Sequence, residues 1–169
     1  MAPVTTIAPA VASPESVPET EVSSIRYTVF RRQRQLFGLS IDLVREVLAG
    51  QPLTRVPRAQ TQLLGVMSLR GEILPVVVID GWLGLPSIPD DPSQPILVVR
   101  RADLLVGFRV DGVQSVLRVP RAEVQPHPSA GHQQHLAGIW HPEGLHPITL
   151  IAGAALLETL CRQAATIVN

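Results

Sequence analysis

Lysine is absent from this chain: all 14 basic side chains in its 169 residues are arginine. The bland reading is a composition bias, although a guanidinium fork also makes bidentate contacts that an ammonium cannot. Cysteine occurs once, at Cys161. That excludes an internal disulfide framework and fits a reducing compartment. Net charge is also missing, since 14 acidic residues balance the arginines. Residues 25–169 hold 14 Arg against 11 acids, an excess of three spread along the chain. Nucleic-acid binding calls for a clustered basic face, so no nucleic-acid partner is expected. Long hydrophobic runs are lacking too. The longest, Ile73–Ile79 and Ile148–Leu157, fall short of the roughly 18 residues that span a bilayer, so no direct membrane insertion is expected. Pro3, Pro9, Pro14 and Pro18 interrupt the first residues, which carry neither the basic start nor the unbroken apolar stretch of a secretory signal. These absences together predict a cytoplasmic protein.

The signatures of catalysis are equally scarce. There is no G-x-S-x-G, no phosphate loop and no C-x-x-C. Five histidines remain: His127, His132, His135, His141 and His146. His132 and His135 would share a face only on a helix, and Pro126, Pro128 and Gly131 point to a loop instead. A closed metal site needs about four rigidly held ligands, so these residues read as solvated loop histidines. Cys161 reads as a passive helix cysteine. Asp90, Asp91, Asp103 and Asp111 read as turn formers. Neither catalysis nor a cofactor is expected.

What the sequence does contain is a succession of short apolar runs. Residues 1–24 are rich in Pro, Ser, Thr, Ala and Glu. They cannot bury enough apolar surface to offset their ordering entropy, so a disordered tail is predicted, followed by one domain over 25–165. Tyr27–Arg31 and Leu36–Ile41 read as strands around a polar turn, with Phe37, Leu39 and Ile41 alternating with Gly38 and Ser40. Asp42–Leu48 is undecided between strand and helix, and Leu53–Val56 reads as a brief strand. In LLGVMSLRGEILPVVVID, residues 63–80, two apolar runs meet at Arg70-Gly71-Glu72, where Gly71 supplies the positive φ of a tight turn. Pro75 lacks an N–H, which predicts a strand edge or bulge there. Residues 81–95 read as a loop. Ile96–Val99 and Leu104–Val110 form a second hairpin, and Asp111-Gly112 turns the chain into Val113–Val119. Residues 120–135 read as a polar loop, Ile148–Ile151 as the last strand and Ala154–Ala165 as a helix docked through Leu156, Leu157 and Leu160. Eight or nine short strands and one helix suggest a barrel or sandwich.

The order of these motifs resembles the CheW-like family of chemotaxis adaptors. The strand FGLSI is followed by V-R-E-V, R-V-P, the G-V-x-x-L-R-G-x-I-x-P-V run and, about thirty residues on, V-G-F-x-V-D-x-V. The resemblance covers Tyr27 to Leu160. It implies a mainly β fold of two SH3-like five-stranded barrels around a shared core, with a short C-terminal helix. It implies a non-catalytic scaffold with two partners, the regulatory domain of a CheA-type histidine kinase and the cytoplasmic tip of a methyl-accepting chemoreceptor, recruited to membrane receptor arrays in a chemotaxis, phototaxis or twitching pathway. The alternatives are a receptor-binding competitor of the same fold without kinase coupling and, against the ligand count above, a metal module that uses the histidines. By the same resemblance, Arg70 and Gly71 occupy the family's Leu-Arg-Gly turn and Glu46 is the acid that pairs with the arginine. Val44, Gly65, Val113 and Val116 match positions lining the groove between the barrels, where a receptor helix tip docks. The chain departs from the pattern at Ser68, where the family usually has Asn, at Ile151-Ala152-Gly153, in the His-rich segment 132–146 and in the acidic Pro-rich tail.

Overall fold

Neighbouring residues on the strands feed different cores, and this alternation builds the molecule. The structure, a computed structural model, describes residues 23–129 and 133–167. In β1 (Ser24–Arg32), Val29 packs with Val119, Trp140, Ile148 and Leu150, while Phe30, the next residue, packs with Phe37, Leu39, Leu97 and Phe108. A strand that alternates in this way is apolar on both faces, so it must be covered on both.

The first barrel is a five-stranded sheet in the order β8-β1-β2-β10-β9. Its strands are β1, β2 (Gln35–Ser40), β8 (Gly112–Pro120), β9 (Leu136–Trp140) and β10 (Ile148–Ile151). The second barrel, in the order β3-β6-β7-β5-β4, is inserted in the chain between β2 and β8. It comprises β3 (Val44–Leu48), β4 (Leu63–Leu69), β5 (Glu72–Val77), β6 (Ile96–Arg101) and β7 (Leu104–Arg109). Each sheet contains one parallel pair, β10 on β2 and β5 on β7. Each is also bridged beyond its edge strands. Thr54, downstream of β3, pairs with Val66 of β4, and Gln125, downstream of β8, pairs with Ile139 of β9. Exposed edges invite association, and these bridges remove much of that hazard.

Each barrel has a private core. Val29, Val119, Trp140, Ile148 and Leu150 fill the first; Leu74, Val76, Ile96 and Val98 fill the second. The largest cluster lies between them. It joins Phe30, Phe37 and Leu39 of the first barrel to Val77, Leu97, Val99, Val106 and Phe108 of the second. Helix α1 (Gly153–Ile167) lays Leu156, Leu157 and Leu160 on this shared cluster. The two lobes are thus joined by a shared core to which side chains of both contribute.

Several expectations are corrected. Ten strands form among the described residues. One for which no element was expected is β9, just after the polar loop, where Leu136, Gly138 and Trp140 face inward. Asp42–Leu48 resolves into a single 3-10 turn, Ile41–Leu43, and strand β3. Leu53–Val56 is not a strand, for only Thr54 pairs. Pro75 sits on an inner strand rather than an edge, and no bulge falls at it, but the ladder between β5 and β7 begins one residue later, at Val76. Its missing N–H therefore leaves that ladder intact. The tail prediction falls on residues that, except for Ser23 and Ser24, lie outside the described ones.

Candidate functional site

The β4–β5 hairpin turns through Arg70 (φ 50°) and Gly71 (φ 84°). Two consecutive left-handed residues make the primed turn whose twist matches that of the flanking strands. Glycine adopts that backbone freely, and no atom lies within 4 Å of where a Gly71 Cβ would stand. Arginine adopts it at a cost of about 1 kcal/mol. The left-handed Arg70 carries a guanidinium that reaches β3: Nη1 donates to Glu46 Oε1 at 2.8 Å and Nη2 to Oε2 at 3.0 Å. Arg45 flanks the pair, 3.7 Å from Glu46 and 3.7 Å from Glu72.

β3 and β4 are the two outer strands of the second sheet. The fork-to-fork bond between Arg70 and Glu46 therefore clamps the end of the hairpin onto the opposite side of the barrel. Bidentate Arg–carboxylate geometry fixes orientation as well as distance. The Arg70 side chain remains 65% exposed, so the clamp is also a surface feature, available to a partner.

The other site candidates distribute around this clamp. Val44, two residues before Glu46 on β3, is half-buried against the shared core, and Val113 of β8 packs against the same cluster from the first barrel. Both therefore border the core shared by the two lobes. Gly65 is buried in β4, where an added Cβ would stand 2.7 Å from the Thr54 carbonyl oxygen and 2.8 Å from Leu53 Cβ. It is the glycine that lets the Thr54 bridge form. Val116, opposite Thr28 on β8, is 50% exposed on the first barrel. Arg70, Gly71 and Glu46 thus form one unit, Val44 and Val113 mark the inter-barrel seam, and Gly65 and Val116 lie on separate walls.

A second polar cluster escaped the sequence reading. Arg32, at the end of β1 and 2% exposed, donates through Nη2 to Asp80 Oδ2 at 2.7 Å and through Nε to Oδ1. Its Nη1 donates to Asp111 Oδ1 at 3.1 Å and to Gln94 Oε1 at 3.2 Å. Burial works against the Arg32 charge, but the hydrogen bond and charge of Asp80, joined by Asp111, outweigh it and hold its pKa above the ordinary arginine value. Asp111 is therefore more than a turn former, since it also accepts from the Gln33 backbone N–H at 2.8 Å. Asp90 is likewise a partner, of buried Arg109 at 2.9 Å. Arg32 belongs to the first barrel and Asp80 to the second, and Asp111 lies on the crossing between them. The cluster pins the lobes at the point where the chain passes from one to the other.

The histidines separate. The His127 ring accepts from the Ser129 N–H at 3.1 Å through Nδ1, and His141 and His146 are exposed. His135 is not a solvated loop residue: it is 8% exposed, its Nδ1 has no hydrogen-bond partner among the described residues, and burial followed by the nearby Arg162 charge lowers its pKa. His132 lies outside the described residues. Cys161 is exposed on α1. No helix among the described residues is long and apolar enough to cross a membrane.

Comparison with known proteins bears on this arrangement. The chain is 35% identical over 99 residues to the chemotaxis protein CheW of Rhizobium meliloti, a match covering 59% of this chain and 64% of that protein. It is 30% identical over 130 residues to protein FrzA of Myxococcus xanthus, covering 75% and 81% of the two chains. The chain spans just under two thirds of the length of the first chemotaxis relatives it matches. Its fold is similar to the crystal structure of the scaffolding protein TtCheW from Thermoanaerobacter tengcongensis, with a TM-score of 0.66, 25% identity, and coverage of 75% of this chain and 88% of that one. The two-sheet architecture is similar to that scaffold's, and residues 26–161 match the family profile described as the CheW-like domain, so the chain belongs to the CheW-like domain family.

Proposed function

We propose that this chain is a non-catalytic adaptor that couples chemoreceptors to a histidine kinase. The observation that carries this reading is the clamp of Arg70 on Glu46, at the outer strands of the second barrel, with Val44 two residues away at the seam between lobes. A rigid twin-barrel body with a half-apolar seam beside an oriented guanidinium suits recognition of an amphipathic helical tip. Apolar residues of the helix enter the seam and a polar group meets the charged edge. In this reading Arg70 and Glu46 set the geometry, Gly71 forms the turn, and Val44, Gly65, Val113 and Val116 shape the docking walls.

The partners are the cytoplasmic tip of a methyl-accepting chemoreceptor and the regulatory domain of a CheA-type kinase. The protein works in the cytoplasm and joins receptor arrays at the membrane through the receptor. The domain responsible spans 25–165. The test is a pull-down of the full chain with the histidine kinase of its own organism and a receptor cytoplasmic fragment. A complex containing all three supports the adaptor reading. Binding of the receptor fragment alone converts it to a receptor-binding competitor.

A further inference from the structure

A basin of about 440 Å³ opens on the first barrel, beside the turn that joins β1 to β2. Its walls carry the guanidinium groups of Arg31 and Arg34 and the ring of His146, and no carboxylate. Arg31 pairs with Leu36 of β2 on one side and with Gly112 of β8 on the other. Gly112 has no side chain, and the Arg31 guanidinium lies over it, with Nη2 4.0 Å from where a Gly112 Cβ would stand. Strand alternation sends neighbours to opposite faces: Arg32 is buried on Asp80, whereas Arg31 is exposed. Leu36 is also the register partner of Ile148 on β10, which brings His146, two residues upstream, to the same basin.

Arg34 stands at φ 69° and Gln33 at φ 48°, so the β1–β2 turn repeats the left-handed geometry of Arg70-Gly71. A residue with a β-carbon adopts that backbone at a cost that glycine avoids. In the second barrel the turn arginine meets Glu46. In the first, neither Arg34 nor Arg31 forms an ion pair or a side-chain hydrogen bond among the described residues. Arg32, Arg45, Arg70, Arg101 and Arg109, by contrast, each reach a carboxylate of this chain. Beside the two guanidinium groups lie half-buried Leu36 and Leu145, which is 57% exposed at the end of a turn closed by its own N–H on the Pro142 carbonyl at 3.4 Å. Exposed apolar surface next to two unneutralised cations selects a ligand that is both anionic and apolar. A guanidinium fork matches a carboxylate through two bonds at once. The Gln114 carboxamide in the same wall both donates and accepts, as a peptide backbone requires. A concave wall receives a protruding side chain, which a planar lipid surface does not offer.

We propose that this basin docks an acidic peptide segment of a partner protein. The segment sets an apolar side chain against Leu36 and Leu145 while its carboxylates meet Arg31, Arg34 and His146. The proposal does not depend on the adaptor reading, since neither Arg70 nor the seam between the lobes takes part.

The test titrates the full chain with a fluorescein-labelled peptide of sequence DELDE and follows its anisotropy at about 50 mM salt, where exposed charges are weakly screened. Wild type is expected to bind this peptide saturably, and not to bind its neutral counterpart QQLQQ. Arg31→Gln with Arg34→Gln is expected to weaken binding about tenfold or more. Leu145→Ala, which changes no charge, is expected to weaken it about threefold or more. The replaced side chains are exposed, so unfolding curves that match wild type confirm an intact fold. Arg100→Gln, at an exposed arginine of the second barrel, and Arg70→Ala are expected to leave binding unchanged. Equal affinity in wild type and the Arg31, Arg34 double variant overturns the proposal. So does an equal loss in Arg100→Gln, which would reduce the effect to net charge. Sedimentation with phosphatidylglycerol vesicles in the absence of saturable peptide binding would assign the arginines to a lipid surface and overturn it as well.

Discussion

Arg32 and Asp80 face each other fork to fork across the two barrels, each 2% exposed, through Nε and Nη2, while Arg70 and Glu46 form a second bidentate pair, through Nη1 and Nη2, at the surface of one barrel. The chemistry is identical and the surroundings are opposite. A buried pair whose partner is removed leaves an uncompensated charge in a poorly solvated site. An exposed pair returns its charges to water, so little stability depends on it. One bond therefore holds the lobes together, and the other orients a surface.

Arg32→Ala and Asp80→Asn are each expected to destabilise the fold by about 3–5 kcal/mol. Arg70→Ala is expected to change stability by at most about 1 kcal/mol. Urea unfolding of the variants measures both. A double replacement of Arg32 and Asp80 by Leu and Leu is expected to lose less than the sum of the single changes, because it removes both fully buried charges together and leaves only the partly exposed Asp111 without its arginine.

Gly65→Ala is expected to destabilise by about 1–3 kcal/mol, because the added methyl meets backbone at Thr54 rather than a side chain that can move aside. Thermal unfolding tests this, and proteolysis within 52–62 reports whether the Thr54 bridge has opened. An unchanged melting temperature would show that this segment yields freely.

The pH dependence follows from His135. Its folded pKa lies below the ordinary histidine value because burial, then the Arg162 charge, disfavour the imidazolium. The unfolded chain therefore binds the proton first. Above about pH 6.5 the residue is neutral in both states, and as pH falls through that value toward the lower folded pKa, stability is lost. His135→Gln is expected to flatten this part of the stability–pH curve. A curve of equal slope in the variant would assign the effect to another group.

Much of the fold was legible, for identifiable reasons. Arg70-Gly71 and Asp111-Gly112 mark turns through backbone requirements that do not depend on distant residues. The alternation in FGLSI survives because one face of β2 is more deeply buried than the other. β9 escaped because its inward positions are Leu136, Gly138 and Trp140, a short alternation broken by glycine and flanked by polar residues. Arg32 and Arg109 escaped because charged residues beside turns usually face solvent, and Arg32 finds Asp80 and Asp111 48 and 79 residues away. The pairing of Arg70 with Glu46 likewise spans 24 residues. Spacing alone does not bring those two together, and only the family resemblance pointed to the contact.

The most direct test measures three-way assembly with wild type and with Arg70→Ala, after unfolding confirms that the variant is folded. The receptor cytoplasmic fragment and the kinase regulatory domain are titrated together. Wild type is expected to hold both partners, and Arg70→Ala to retain its fold while receptor affinity falls by about 30-fold or more, equivalent to about 2 kcal/mol. Receptor and kinase affinities that match wild type in the Arg70→Ala protein would contradict the assignment of the Arg70–Glu46 face to receptor coupling.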